Sequence, residues 1–351
     1  MNRIVTSFPG SAGERPAISV VVPAYNEQEV LPAFHARLVP VMEGIGLPWE
    51  VVYVNDGSRD ATLSVMLGLQ ADDPRTAVVN LSRNFGKEIA LTAGLDHAAA
   101  SEAVVVIDAD LQDPPEVIPD LVAAWQAGGV DIAYAQRRVR EGETWLKKAT
   151  ASAFYRVMQR IGGKVQLPRN TGDFRLMSRR SLDALLSLRE QHRFMKGLFA
   201  WVGYPSVAVP YDRAPRAAGE TKWNYWKLWN LSLEGITSFT VGPLKIATYL
   251  GLVTALFAAG YGSLIILRTM IWGNPVAGYP SLMAVVLFLG GVQLMTLGII
   301  GEYLGRVFNE TKGRPLYLVE RHLPSGQRQA SSAPIGAQRA APSGTSGASA
   351  A

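Results

Sequence analysis

Continuous apolar runs rich in Val and Ile recur through the first part of the chain, at residues 18–23, 50–55, 77–81, 103–108 and 131–136. Unbroken runs of this kind mark strands buried on both faces, as in parallel sheets. Between them, residues 27–44, 59–70 and 87–100 read as helices. The alternation predicts a doubly wound α/β sheet. Ligands of such sheets sit beyond the carboxyl ends of the strands. The polar clusters PAYNE, NDGS, SRNFGKE and DADLQD all follow a strand end.

Farther along, the pattern changes. Residues 144–161 read as an amphipathic basic helix, and residues 246–267 then run for 22 positions without a charge. As a helix that stretch measures about 33 Å, enough to cross a bilayer core. Residues 281–301 form a second such stretch, and Arg268 is the one charged residue between Lys245 and Glu302. Segment 269–280 carries no Lys or Arg, whereas Lys222, Lys227 and Lys245 precede the first stretch and Arg306, Lys312 and Arg314 follow the second. The positive-inside rule then places the α/β domain and the C-terminus in the cytoplasm of a multi-pass protein. Trp223, Tyr225, Trp226 and Trp229 suit an interfacial helix among headgroups; packing against the α/β domain is the alternative. From about Ser325 the tail is rich in Ala, Ser, Gly and Pro and predicted to be disordered. The expected division is a flexible start at 1–16, a catalytic domain at 17–221, interfacial helices at 222–243, two membrane helices at 244–305, a cytoplasmic segment at 306–324 and the tail at 325–351.

Composition narrows the chemistry. The chain has no cysteine, which excludes disulfides, thiol nucleophiles and Cys-based zinc sites. Four scattered histidines argue against a His-based metal centre. A bound metal is then expected to be a hard, oxygen-liganded cation such as Mg²⁺ or Mn²⁺. Residues 1–17 lack the apolar core of a signal peptide. A net charge of +5 without a dense Lys/Arg run among aromatics argues against nucleic acid as a partner and suits an anionic membrane surface or phosphate-bearing substrates.

A dinucleotide enzyme is the first reading to remove, because neither the Gly-rich dinucleotide fingerprint nor a P-loop follows the first strand. That strand opens instead into Pro23-Ala24-Tyr25-Asn26-Glu27. Backbone contacts, Tyr25 packing and a hydrogen bond from Glu27 could hold a nucleotide there, although a capped helix start has a similar sequence. Asp56, ending the second strand, either accepts the N–H of a uracil or guanine ring or serves as a turn aspartate. Asp108-Ala109-Asp110-Leu111-Gln112 ends the fourth strand. Strand alternation puts Asp108, Asp110 and Gln112 on one side, three oxygen donors facing one point. Such a set suits a divalent cation bridging two phosphates. Asp113-Pro114-Pro115 then stops the strand and starts the next helix.

Taken together, PAYNE, NDGSRDAT, the spaced DAD followed by LQDPPE, and the two C-terminal spans resemble family 2 glycosyltransferases, in particular the polyprenyl-phosphate group. The resemblance covers roughly residues 18–319. It implies a nucleotide-binding α/β domain of the GT-A type with a DxD metal motif. It places nucleotide contacts on Pro23, Tyr25, Glu27, Asp56 and Asp108, and metal ligands on Asp108, Asp110 and Gln112. The arginine after the fifth strand falls on Arg137, a phosphate contact, and the acceptor-phosphate site on Lys148 and Ser152, which share a helix face. Arg216-Ala217-Ala218-Gly219-Glu220-Thr221-Lys222 resembles the family's R-x-x-G-x-[ST]-K motif, whose two basic residues, here Arg216 and Lys222, hold donor phosphates. Asp173, in Asn170-Thr171-Gly172-Asp173-Phe174-Arg175, matches an aspartate near the acceptor. It acts there as a general base or only positions substrate, because a phosphate monoester is already largely ionised near neutral pH.

The expected reaction is an inverting transfer of a sugar from a nucleotide-sugar, UDP-glucose as the first choice, to undecaprenyl phosphate, with Mg²⁺ or Mn²⁺ at the leaving diphosphate. The resemblance also implies a homo-oligomer, a tetramer. Two rivals remain at this point. A processive polysaccharide synthase of the same fold carries a Q-x-x-R-W motif, which Gln191-His192-Arg193-Phe194 does not match. A non-catalytic membrane scaffold would keep the fold without the chemistry.

Overall fold

The chain is described by a computed structural model covering residues 15–138, 168, 170–213, 242–272 and 278–326. The five anticipated runs are strands: β1 (Ile18–Ala24), β2 (Trp49–Asn55), β3 (Thr76–Leu81), β4 (Ala103–Val106) and β5 (Ile132–Arg137). Three more join them, β6 (Thr171–Ser178), β7 (Ser206–Tyr211) and β8 (Val319–Leu323), giving one sheet of order β7-β5-β6-β4-β1-β2-β3-β8. The central strands β4, β1, β2 and β3 run parallel, as their continuous burial predicts. The sheet as a whole is mixed rather than parallel, because β6 and β8 run antiparallel to their neighbours.

Alternate side chains of the central strands enter two separate cores. Val20, Val22, Val51, Tyr53 and Val105 pack with Leu31, Phe34 and Leu38 of α1 (Leu31–Ile45) and with Ile118 and Leu121 of α4 (Ile118–Gln126). Val21, Val52, Val54, Val104 and Val106 face the other way, toward α3 (Lys87–His97), α5 (Arg179–Leu186) and α6 (Met195–Trp201). The helix α2 (Thr62–Asp72) links β2 to β3. At the closest approach of α3 to the sheet stands Gly94, where an added Cβ would lie 2.3 Å from Val21 Cγ1 and 2.9 Å from Val54 Cγ2.

Two boundaries differ from expectation in ways that matter for the site. The first helix begins at Leu31 rather than residue 27, because Asn26 adopts a left-handed φ of 56° and the residues around it bond to the next loop. The fourth strand stops at Val106, and Leu111 has a φ of 57°. Residues 107–113 are therefore a turn, and strand alternation is not what orients Asp108, Asp110 and Gln112.

Two long helices follow, α7 (Gly242–Trp272) and α8 (Tyr279–Thr311), packed against each other. Both are long and apolar enough to cross a membrane, and their large apolar side chains are largely exposed. After α8 the chain returns to the sheet, where β8 adds to the edge of β3 and Ser82 N donates to Leu318 O at 3.0 Å.

Gly94→Ala should lower stability by about 1–3 kcal/mol, since the methyl meets stiff β-branched neighbours in a packed core. Gly68→Ala, where a Cβ meets nothing among the described residues within 4 Å, should instead be neutral or stabilising by up to about 1 kcal/mol. Thermal unfolding of the two purified variants against the wild type checks both.

Candidate functional site

The carboxyl ends of β1 and β2 are laced together by their loops. Asn26 N donates to Ser58 Oγ at 3.0 Å, Glu27 N to Thr62 Oγ1 at 2.8 Å and Arg59 N to Asn26 Oδ1 at 2.9 Å. Pro23 lies within β1 opposite Val54, and Tyr25 and Glu27 stand half-buried at the turn. Asp56 is buried, and its carboxylate accepts from Phe85 N at 2.7 Å and Gly86 N at 3.0 Å. Burial raises its pKa, against the pull of those two N–H groups. Gly57 permits this approach: a Cβ there would meet the Arg83 backbone carbon at 2.4 Å. Gly86, at a φ of 97°, launches α3 from the same point.

Asp56 thereby fixes the root of Lys87, the first residue of α3. The Lys87 ammonium sits 2.7 Å from Asp108 Oδ2 and 2.8 Å from Asp173 Oδ2, joining the turn after β4 to the start of β6. Asp173 reaches this point because β6 is antiparallel, so that its first residues lie beside the carboxyl ends of β4 and β5. The Asp173 side chain is 7% exposed, Asp108 25% and Lys87 47%. Burial opposes the Lys87 charge, but Asp108 and Asp173 together hold its pKa well above the usual range. Burial alone would raise Asp173; Lys87, Lys196 and Arg175 outweigh it and hold the carboxyl below the usual carboxylate range. Asp108 moves up through burial, against Lys87, with Asp173 and Asp113 adding to the rise. Beneath them, Glu88 is pushed up to about 7 by burial and by the Asp173 charge, and its Oε2 accepts from Met195 N at 3.1 Å. The Arg175 guanidinium closes the floor, stacked 3.7 Å over the Phe199 ring and donating to Gly172 O at 2.9 Å.

A second cluster adjoins the acid turn. Asp113 is buried, and its Oδ1 accepts from the Tyr211 hydroxyl, with Arg137 Nη2 at 3.7 Å and Arg213 Nε at 3.6 Å. Arg137 Nε also donates to the Tyr211 hydroxyl at 3.2 Å. Arg213 reaches on to donate to Gln112 Oε1, while Gln112 N donates to Asp110 Oδ1 at 3.1 Å. Two guanidinium groups are thus held beside the acid turn by a single carboxylate. Gly172 keeps room for one of them, since a Cβ there would lie 3.1 Å from Arg137 Nη2.

The structure therefore brings Pro23, Tyr25, Glu27, Asp56, Asp108, Asp110, Gln112, Arg137 and Asp173 to one end of the sheet. Lys148, Ser152, Arg216, Lys222 and the aromatic cluster at 223–229 lie outside the described residues. Sequence reading missed Lys87, Asp113, Tyr211 and Arg213 as members of the site. Lys87 stood in a flagged polar cluster, and Asp113 was taken only as a strand stop. Among the described residues, no three His, Cys, Asp or Glu side chains form a ready-made metal cage. A turn offering two carboxylates and one amide oxygen still fits a hard divalent cation that keeps its other positions for phosphate oxygens and water.

Comparison with known proteins follows the same division of the chain. The family model for glycosyl transferase family 2 matches residues 19–186, and one for the GtrB C-terminal hairpin matches residues 242–307. A glycosyltransferase of Synechocystis sp. is 54% identical over 86% of this chain and 94% of its own length. A prophage bactoprenol glucosyl transferase homolog of Escherichia coli is 49% identical over 87% and 98%. The bactoprenol glucosyl transferase of Shigella phage SfV is 48% identical over 86% and 98%. Among solved structures, a glucosyl-3-phosphoglycerate synthase from Mycobacterium tuberculosis aligns over 64% of this chain and 78% of its own at 22% identity. Its TM-score is 0.46, a loose likeness from which no site residue is carried over.

Asp113→Ala should strand Tyr211 and two arginines without their shared acceptor and cost about 3 kcal/mol in chemical denaturation. Glu88 gives a pH signature. Its folded-state pKa lies above the ordinary 4.5, so its contribution to stability is present below about pH 4.5 and lost as pH rises through about 7. Glu88→Gln should remove that loss and gain on the wild type as thermal unfolding is followed from about pH 5 to about pH 8.

Proposed function

The chain belongs to glycosyl transferase family 2, and from that premise we propose that it transfers glucose from UDP-glucose to undecaprenyl phosphate at the cytoplasmic face of a membrane. One observation carries the reading: the acid turn, Asp173 and the paired guanidinium groups converge at the mouth of the sheet, in a chain whose relatives are named for glucosyl transfer to bactoprenol.

In this reading Pro23, Tyr25, Glu27 and Asp56 receive the nucleotide. Each Asp56 oxygen already accepts one backbone N–H and keeps a second lone pair for the base. Asp108, Asp110 and Gln112 would hold Mg²⁺ or Mn²⁺, which when bound neutralises charge on the departing diphosphate. Arg216 and Lys222 hold the donor phosphates. Arg137, with Lys148 and Ser152, receives the lipid phosphate. A phosphate oxygen of the lipid bonds to the anomeric carbon as the bond to UDP breaks, and the electron pair leaves on UDP. A single displacement of this kind inverts an α-linked donor to a β-linked product. Asp173, held ionised below the usual range, is a poor proton acceptor near neutral pH. Its part is to position the sugar and acceptor by charge, because the nucleophile is already ionised. The residues supply orientation and electrostatics in place of a covalent nucleophile.

In this reading the two long helices cross the membrane. Lys and Arg gather on the domain side, with Arg268 near the far end of α7 the exception, and the positive-inside rule then favours a cytoplasmic domain and C-terminus. The enzyme works as a homo-oligomer, a tetramer, on the strength of the family resemblance.

Radiolabelled sugar supplied from a panel of UDP- and GDP-sugars should enter the lipid phase only with undecaprenyl phosphate and Mg²⁺ or Mn²⁺ present, fastest from UDP-glucose. Asp110→Ala should lower the rate about a hundredfold or more. No transfer from any donor by the folded, membrane-embedded protein would favour the scaffold and withdraw the catalytic roles.

A further inference from the structure

We infer that Lys87 is an internal counter-cation that occupies the place between Asp108 and Asp173 until donor arrives, so that a divalent cation enters this site together with the nucleotide rather than ahead of it. The inference rests on the reading of Asp108 as a metal ligand.

The geometry is specific. One ammonium spans two carboxylates from separate elements, at 2.7 Å and 2.8 Å. Without it, Asp108 and Asp173 would face each other as like charges in a largely buried pocket, an arrangement that a low-dielectric setting makes costly. The lysine meets only part of that need: Asp173 Oδ1 is buried and has no hydrogen-bond partner among the described residues. The pocket is therefore attractive to a cation of higher charge. That cation and the ammonium cannot both sit on Asp108 Oδ2 without strong mutual repulsion.

The lysine is also built to leave. Its backbone is pinned at the start of α3, because Asp56 grips Phe85 N and Gly86 N immediately before it. Its side chain is 47% exposed, and a four-carbon stem lets the ammonium swing while its root stays fixed. A nucleoside diphosphate gives the displaced ammonium a new anionic partner, so the donor removes the cost of expelling it. Metal alone offers no such partner. The two binding events are then linked, each strengthening the other by the same factor.

Full-length protein in detergent micelles or lipid nanodiscs should be titrated with Mn²⁺ alone, with Mn²⁺ plus UDP and with Mn²⁺ plus GDP, following free Mn²⁺ by electron paramagnetic resonance. The wild type should bind Mn²⁺ weakly alone and on the order of tenfold more tightly with its nucleotide, within the usual range of site-to-site coupling. Lys87→Met should bind Mn²⁺ alone on the order of tenfold more tightly than the wild type, and added nucleotide should then help it less. Lys87→Arg should restore the wild-type order, and Asp108→Asn should weaken Mn²⁺ binding in every background. Lys87→Gln serves as the second variant if Lys87→Met does not give a normal melting transition. If Lys87→Met and Lys87→Gln bind Mn²⁺ alone no better than the wild type, while nucleotide still recruits the metal, the counter-cation role is overturned and the metal reading stands. If calorimetry shows nucleotide bound and no form takes up Mn²⁺ with it, the metal reading fails, and this inference with it.

Discussion

Charge compensation at the carboxyl end of the sheet is the constraint from which the rest follows. Asp108, Asp110, Asp113, Asp173 and Glu88 crowd one mouth, and crowded carboxylates in a partly dry site repel one another. The fold answers with cations supplied from different elements. Lys87 comes from α3, Arg137 from β5, Arg175 from β6 and Arg213 from just beyond β7. Neutralisation is uneven, which gives the site its character. Asp173 is held ionised, whereas Asp108 and Glu88 are pushed upward. Adjacent acids with pKa values moved in opposite directions are the pattern that acid–base sites use to assign roles.

Topology makes this crowding possible. Parallel strands alone deliver the loops after β1, β2, β3 and β4 to one edge. The antiparallel β6 delivers the beginning of a strand to the same edge, adding Asp173 and Arg175. Tyr211 and Arg213 arrive the same way as the parallel loops do, from the end of β7, and Asp113 gathers them. Left-handed or constrained backbone stands at each junction that has to turn sharply: Asn26, Gly57, Gly86 and Leu111. The non-glycine members, Asn26 and Leu111, sit in a conformation that L-residues adopt at a cost, and such residues cluster where function fixes the backbone.

The central half of the fold was legible because continuous Val/Ile runs leave little freedom of interpretation. Residues 18–23, 50–55, 77–81 and 131–136 became strands within a residue or so of expectation. The turn at 107–113 was not legible, because its shape depends on a single left-handed Leu111 that no local pattern announces. Strand β6 hid because Thr171–Ser178 is buried throughout yet carries Asp173 and Arg175, charged types that rarely occupy a buried strand; the cation that balances Asp173, Lys87, is far away in sequence. The same holds for Lys87 and Asp113. Their types were visible, but their partners lie across the fold, at Asp108 and Asp173 for one and at Arg137, Tyr211 and Arg213 for the other. Motif reading found Asp108, Asp110 and Asp173, and only three dimensions could find Lys87 between two of them.

The loop that leads to α6, and through Met195 to Glu88, is tied to α8 by direct contacts. At the end of α8, Glu310 Oε1 accepts from Gln191 N at 2.7 Å, and Asn309 meets His192 at 3.0 Å. Arg189, nearby, forms a bidentate pair with Asp96 of α3, to which the Tyr317 hydroxyl also donates at 2.8 Å. Strand β8 then carries the chain past α8 into the sheet itself. From Gln191 it is a short path to Met195, whose N–H reaches Glu88 beside Lys87. A lipid phosphate of the kind proposed above would present its phosphate at a fixed depth, so the reacting atoms would meet only if the domain were held at a matching height. Misplacement by about 1 Å can cost on the order of a hundredfold in rate. A flexible tether between helix and domain would lose that precision. Docking α8 onto the loop that leads to α6, and returning the chain as β8, joins α8 to the frame around the acids.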